Sequence, residues 1–301
     1  MIADKKYFSR AHIEAQSGFS TPALCECAIY CLELLSEFSL LQIPFRFKGG
    51  NSLLLILDEP ERFSIDIDIS LSAERIQLEE AVQKLFHRSG CFTSFENRPP
   101  KTKPHLPMIS FKLFYNSYYL PADQSFVMLD AILKPPAYGG YMTKIRVKNL
   151  YESECSVEVS DVSGLAADKL LAIGPAALGI PLGKNKEAQR LKHVFDISRL
   201  YDKKIDKKTL NSAIQSCLEQ ENLIQQTGVS MADVISDTKK FCSLPLPFPA
   251  MPEAEKADDP YLAEIITGFG DFKKHLFRTR YTWDLLKRDM SRVLSILEMI
   301  D

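Results

Sequence analysis

The feature that most constrains the fold of this chain is a run of alternating apolar and polar residues from Phe63 to Ser70, which reads Phe-Ser-Ile-Asp-Ile-Asp-Ile-Ser. A period of two predicts a half-buried β-strand with its isoleucines facing a core. Asp66 and Asp68 then project together from the other face. Because two close carboxylates repel each other, this pair indicates a cation between them, and oxygen ligands favour Mg²⁺ or Mn²⁺.

A pair of glycines, Gly49 and Gly50, precedes this strand. Glycine tolerates a positive φ and leaves backbone N–H groups uncovered, so such a turn can approach a phosphate closely. A glycine turn for phosphates followed by a carboxylate pair for metals is typical of nucleotide chemistry. Taken alone, the Asp-x-Asp pattern has the alternative interpretation of a solvated strand face.

Three short segments resemble the first motif of the AbiEii/AbiGii nucleotidyltransferase toxin family: Lys48-Gly49-Gly50, Arg62-Phe63-Ser64 and Asp66-Ile67-Asp68-Ile69. That family belongs to the DNA polymerase β-like nucleotidyltransferase superfamily. The resemblance implies an α+β fold, with a polymerase β-like nucleotidyltransferase core of mixed sheet and helices over residues 1–160. A mostly helical C-terminal domain is expected over residues 161–301.

A third carboxylate, Asp130, is the one charge in an apolar segment from Phe126 to Leu133. A lone carboxylate in such a strand is costly unless it is paired or bound to metal. The resemblance implies that Asp66, Asp68 and Asp130 are the catalytic metal ligands. Asp123, in a predicted turn, is the weaker competitor for the third position.

The resemblance also implies a set of residues that bind the nucleotide: Lys48, Gly49, Gly50, Asn51, Ser52 and Ser64. The family usually has Thr or Ser directly after the glycine pair to contact the terminal phosphates, whereas this chain has Asn51 followed by Ser52. Either the Asn51 amide or the Ser52 hydroxyl is expected to take this role.

Later segments partly match further family motifs. Lys169 lies in Leu165-Ala-Ala-Asp-Lys169, and the resemblance implies that it reaches a triphosphate oxygen; the alternative is an exposed helix lysine. Lys192 and Asp196 take the basic and second acidic places of another motif, in which His193 replaces the first acid. The spacing of Lys192 and Asp196 also permits a structural ion pair on one helix face.

The predicted function is metal-dependent transfer of a nucleoside monophosphate from an NTP to an acceptor hydroxyl. The resemblance implies that the acceptor is RNA, the tRNA 3′ end, and that the protein is the toxin of a toxin–antitoxin pair with a cognate antitoxin. One alternative is a catalytically inactive nucleotide- or RNA-binding protein of the same fold. Another is a transferase that acts on a protein or small-molecule hydroxyl.

Composition adds few constraints. The 301 residues carry a net charge of −2, so any contact with RNA requires a local basic patch. A basic stripe near the C-terminus, interleaved with aromatic residues, is one candidate; its alternative is a helix with its aromatic face in the core. The chain lacks a signal-like apolar start and a membrane-length apolar run, so we expect a cytoplasmic protein. Seven cysteines without framework spacing favour buried thiols over disulfides.

Local signals predict where several helices begin or break. Thr21-Pro22 is typical of a helix start, with Thr21 as the N-cap and Pro22 at the first position. Ser72 is a candidate N-cap for a helix that extends to about Ser89. A last helix is expected over about residues 261–300, with a break near Gly268 and Gly270.

Overall fold

The protein is described from a computed structural model at residues 1–98, 106–254 and 257–301. The chain divides into two compact units: residues 1–136 with 140–160, and residues 137–139 with 161–301. The elements are a mixture of strands and helices, so the predicted α+β class is confirmed. Within the described residues, no helix is both long and apolar enough to cross a membrane. The proline-rich connector that follows Arg98 in the sequence lies at positions 99–105, outside the described residues.

In the part of the chain that the structure describes, the first unit is built on a mixed sheet of seven strands. The strands are β1 (Arg46–Lys48), β2 (Asp66–Ser70), β3 (Phe92–Arg98), β4 (Met108–Tyr115), β5 (Phe126–Ile132), β6 (Gly140–Val147) and β7 (Tyr151–Ser160). Their order across the sheet is β3-β4-β5-β2-β1-β7-β6. The β2–β5 and β1–β7 pairs are parallel and the others are antiparallel. The sheet therefore places β2 between the glycine-turn strand β1 and the strand that carries Asp130.

The two faces of β2 are those that the sequence pattern predicts. Ile67 and Ile69 are 1% exposed, while Asp66 and Asp68 are half-buried on the opposite face. The strand begins at Asp66 instead of Phe63, because residues 63–65 do not pair with a neighbouring strand; the side chains of Arg62 and Ser64 lie against Gly50. Strands β4 and β5 show the same strict alternation, so one face of each strand lies in the core, while Ser110 and Asp130 lie on the half-buried opposite face.

The helices of the first unit are a 3₁₀ turn (Lys5–Phe8), α1 (Arg10–Gln16), α2 (Pro22–Ser39), α3 (Leu53–Ile56) and α4 (Arg75–Ser89). Helix α2 begins as predicted, with Thr21 accepting a hydrogen bond from the Leu24 N–H at 3.3 Å. Its residues contact β7, β5 and β2. Helix α4 is capped by Glu74 in a capping box with Gln77, not by Ser72 as the sequence suggests. All seven cysteines are free thiols.

Strand β6, at the edge of the sheet, has no counterpart in the sequence predictions. Of its eight residues only Ile145 and Val147 are buried, so the apolar periodicity that marks a strand is confined to one end. Its pairing with β7 supplies the backbone hydrogen bonds that define it. An edge strand with this burial pattern is specified by its neighbour more than by its own side chains.

The second unit is helical, with α5 (Val162–Leu171), α6 (Glu187–Tyr201), α7 (Lys207–Gln225), α8 (Met231–Ser243), α9 (Pro260–Lys273) and α10 (Trp283–Leu297). The expected helix break near Gly268 and Gly270 is wrong, because both residues lie inside α9 and the break follows Lys273. A Cβ on Gly268 would lie 2.7 Å from the backbone carbon of Glu187. The close approach of α9 to α6 therefore requires a residue without a side chain at position 268.

The C-terminal aromatic residues lie in the core of this unit, which supports the structural alternative for the basic stripe. Phe272, Tyr281 and Trp283 are buried and cannot stack on bases. Arg292 donates to both carboxylate oxygens of Asp202 at 2.9 Å. The interleaved aromatic residues therefore stabilise the helical unit, and binding of RNA by the basic stripe stays a prediction.

Candidate active site

The glycine turn lies directly against the carboxylate strand. Gly49 has a φ of +72°, and a Cβ at this position would lie 1.9 Å from Oδ2 of Asp68. A Cβ on Gly50 would lie 2.5 Å from Nη2 of Arg62 and 2.9 Å from Oγ of Ser64. The absence of side chains at these two positions therefore leaves room for the carboxylate, the guanidinium and the hydroxyl. Four residues that the sequence assigned to one site, Gly49, Gly50, Ser64 and Asp68, are brought together here.

The two residues after the glycine pair are both fully buried. The Ser52 hydroxyl donates to the carbonyl of Gly49 at 2.9 Å and thereby closes the turn. Neither the nitrogen nor the oxygen of the Asn51 side-chain amide has a hydrogen-bond partner among the described residues. The Ser52 hydroxyl is thus engaged within the protein, whereas the Asn51 amide is buried next to the Cys31 thiol.

The strand register places charged side chains in one row across the sheet. Lys48 on β1 is the partner of Asp68 on β2, and Asp68 is the partner of Asp130 on β5. Partners on adjacent strands lie on the same face, with strands about 4.8 Å apart. Asp66 is two residues before Asp68 and so shares this face. The three predicted metal carboxylates therefore occupy one face of two adjacent strands, next to the glycine turn.

The row continues beyond Asp130 to residues that the sequence did not single out. Ser110 on β4 is the partner of Asp130, and Arg98 at the end of β3 is the partner of Ser110. Burial raises the pKa of Asp130 above its ordinary 3.8, while a hydrogen bond from Ser110 and the positive charge of Arg98 act in the opposite direction. The alternation within β4 predicts that Ser110 faces away from the core. Its position beside Asp130 follows only from the register between β4 and β5.

The sequence matches a known protein family over most of its length. The profile of the nucleotidyl transferase AbiEii toxin family, described as a type IV toxin–antitoxin system, matches residues 33–287. The chain belongs to the AbiEii family. The family predicted from the first motif is confirmed, and the match extends well beyond that motif into the helical unit.

Two solved structures are similar to the chain to different extents. MenT4, a nucleotidyltransferase toxin from Mycobacterium tuberculosis, is similar to 97% of this chain over 90% of its own length, with a TM-score of 0.61 and 15% identity. An antigenic nucleotidyltransferase-like protein from Paracoccidioides brasiliensis matches 72% of this chain and 93% of its own, with a TM-score of 0.41 and 14% identity. No curated protein matches the chain significantly. The likeness to MenT4 establishes a shared fold.

The residues on the polar face fit a hard divalent cation. Asp66, Asp68 and Asp130 supply carboxylate oxygens only, on adjacent strands, and this is the ligand chemistry of Mg²⁺ and Mn²⁺. Gly49 allows the Asp68 carboxylate to lie close to the turn, as a side chain at that position would displace it. The AbiEii chain therefore has carboxylate donors suited to a divalent cation beside the glycine turn.

A second acidic group in the first unit, Glu33 and Glu37 with Cys91, has a structural explanation. The Tyr151 hydroxyl donates to Glu33 at 2.7 Å, and backbone N–H groups at residues 2 and 3 donate to the same carboxylate. Arg88 forms an ion pair with Glu37 at 3.0 Å. These carboxylates are thus satisfied by protein donors, which is how buried acids are normally accommodated.

In the second unit, Lys169 and Asp196 form a buried ion pair. The Lys169 ammonium donates to Asp196 at 2.7 Å, and both side chains are at most 4% exposed. Lys169 is therefore not the exposed helix lysine of the alternative interpretation. Lys192 is half-buried one turn before Asp196 on α6. The Lys169–Asp196 pair joins α5 to α6, which the sequence did not predict because the two residues are 27 positions apart.

Proposed function

We propose that this AbiEii protein transfers a nucleoside monophosphate from an NTP to an acceptor hydroxyl in a reaction that depends on Mg²⁺ or Mn²⁺. The observation that carries the proposal is the contact between the glycine turn and Asp68, with Asp130 level with Asp68 on the adjacent strand. Such an arrangement serves a triphosphate at one side and a reacting hydroxyl at the other. The acceptor is RNA, the tRNA 3′ end, and the activity makes the protein the toxin partner of a cognate antitoxin.

The donor side is formed by the turn and its neighbours. The backbone N–H groups of Gly49 and Gly50 bind the β- and γ-phosphates, since only glycine permits so close an approach. Lys48 and the Ser64 hydroxyl add a charge and a donor from adjacent positions. The Asn51 amide, with its unused donor, takes the role that a Ser or Thr plays elsewhere in the family, while Ser52 holds the turn closed.

Asp66, Asp68 and Asp130 would hold the divalent cation, which would neutralise phosphate charge and lower the pKa of the acceptor hydroxyl. Ser110 holds the Asp130 carboxylate in place through its hydrogen bond. Asp68 lies between the turn and Asp130 and so contacts both halves of the site.

In the helical unit, the Asp196 carboxylate holds the Lys169 ammonium in a buried ion pair and so ties α5 to α6. The resemblance assigns Lys169, Lys192 and Asp196 to the reaction, and for these three residues that role stays a prediction.

The test is transfer of labelled nucleotide to RNA by purified wild-type protein, Asp66→Asn and a matched control. Asp123→Asn serves as the control because it makes the same chemical change on an exposed turn outside the row of carboxylates. We expect Mg²⁺-dependent transfer by the wild type and the control, and loss of about 10²-fold or more in Asp66→Asn. Transfer at the wild-type rate by Asp66→Asn would reject this metal site.

The engaged Ser52 hydroxyl favours one second candidate, a nucleotide-binding protein of this fold without turnover. Titration with Mg²⁺ and each NTP distinguishes the two functions, because a binding protein shows saturation without release of pyrophosphate. An acceptor screen with total RNA, total protein and small molecules identifies the hydroxyl. Label on protein or on a small molecule instead of RNA would replace the proposed acceptor.

A further inference from the structure

The row of charged and polar residues across the sheet has two ends, and each end suits a different substrate. It runs Lys48, Asp68, Asp130, Ser110 and Arg98, one residue on each of β1, β2, β5, β4 and β3. The glycine turn follows Lys48 and contacts Asp68, so the donor phosphates belong to the β1 end. Arg98 stands at the opposite end, about 10 Å from Asp130 across two strand spacings.

In-line displacement fixes which substrate lies at the Arg98 end. In nucleotidyl transfer the attacking and leaving oxygens lie on opposite sides of the phosphorus. Pyrophosphate leaves towards the glycine turn, because that turn binds the β- and γ-phosphates. The acceptor hydroxyl must therefore approach from the Asp130 side, where Ser110 and Arg98 follow along the row.

We propose that Arg98 binds a backbone phosphate of the nucleic-acid acceptor and so places the acceptor next to Asp130; this inference rests on the proposed function. Arg98 is exposed, and its guanidinium is a planar group of N–H donors that matches a phosphate bidentately. Ser110, between Arg98 and Asp130, is a positioning residue for the carboxylate. The ligand is a phosphodiester, and the test separates it from the triphosphate of the donor.

The experiment measures binding of labelled bulk tRNA to full-length wild type, Arg98→Gln, Arg98→Lys and Arg10→Gln between about 50 and 200 mM salt. Arg10 is an exposed arginine of the same unit, paired with Glu14 on α1, so Arg10→Gln removes the same charge away from the row. We expect Arg98→Gln to weaken RNA binding about tenfold and to lower the slope of log K against log salt by about 0.7 to 0.9. Arg98→Lys should keep most of the slope, and Arg10→Gln should match the wild type.

Binding of each NTP with Mg²⁺ is measured on the same variants and should be unchanged in Arg98→Gln. Weaker NTP binding with unchanged RNA binding would place Arg98 on the donor phosphates and overturn the inference. An unchanged salt slope, or a wild type that does not bind RNA, would also overturn it. The proposed function fails on a separate result, the absence of metal-dependent transfer by the wild type, because binding is measured without turnover.

Discussion

Replacing Gly49 by alanine tests the contact on which the site is built. At a φ of +72° an alanine pays a backbone cost of about 1–2 kcal/mol, partly offset because alanine also restricts the unfolded chain by about 0.4–1 kcal/mol. The new Cβ would also lie 1.9 Å from Oδ2 of Asp68, although real Cβ atoms essentially never come within 3.0 Å of another atom. The Asp68 carboxylate must therefore rotate away, or the turn must move.

A matched control separates these two effects. Gly90, which ends α4, has a φ of +63°, and a Cβ there would meet nothing within 4 Å. Gly90→Ala therefore pays the same backbone cost without a clash, and both variants should lose about 1 kcal/mol of unfolding free energy from this source. Gly49→Ala alone should also displace Asp68, with a loss of about 10²-fold in nucleotide transfer.

The assay is urea unfolding of both variants together with Mg²⁺-NTP binding and transfer of labelled nucleotide. We expect Gly49→Ala to lose at least as much stability as Gly90→Ala, because only Gly49→Ala adds a clash, and we expect only Gly49→Ala to lose binding and transfer. A Gly49→Ala protein that binds and transfers nucleotide as well as Gly90→Ala would refute it, because the turn would then not need to lie against Asp68.

Three further predictions concern stability, each measured by urea unfolding. Lys169→Leu should cost about 3–5 kcal/mol because it leaves Asp196 charged and buried, and replacing both residues by leucine should cost less. Burial raises the pKa of Glu26 above its ordinary 4.5. The wild type should therefore lose stability relative to Glu26→Gln as pH rises from about 4.5 to the raised pKa, and the difference in stability should stay constant at higher pH. Gly268→Ala should destabilise by about 1–3 kcal/mol through the clash with α6, whereas Gly270→Ala, whose Cβ meets nothing within 4 Å, should stabilise by up to about 1 kcal/mol.

The elements that could be predicted are those whose own side chains specify them. The alternation in β2 gave the correct buried and polar faces, and Thr21-Pro22 gave the correct start of α2. Strand β6 could not be predicted, because five of its eight residues are exposed and its partner β7 determines its conformation. The predicted helix break at Gly268 is wrong for a different reason. Glycine usually signals a break, but at this position it is required by the contact between two helices.

Some features of the site can likewise be predicted from a local pattern, whereas others depend on packing between distant segments. The pattern in β2 places Asp66 and Asp68 on one face, but nothing local states that Asp130 is level with Asp68, because the two are 62 positions apart. A slip of one residue between β2 and β5 would turn Asp130 into the core, where an ionised carboxylate without a partner costs several kcal/mol. The apolar residues Val127, Leu129 and Ala131 oppose that slip, since each is at most 1% exposed and would lose its place in the core. The packing of the apolar face therefore holds the carboxylates in register, and the same register extends the row to Arg98, which no local motif marks.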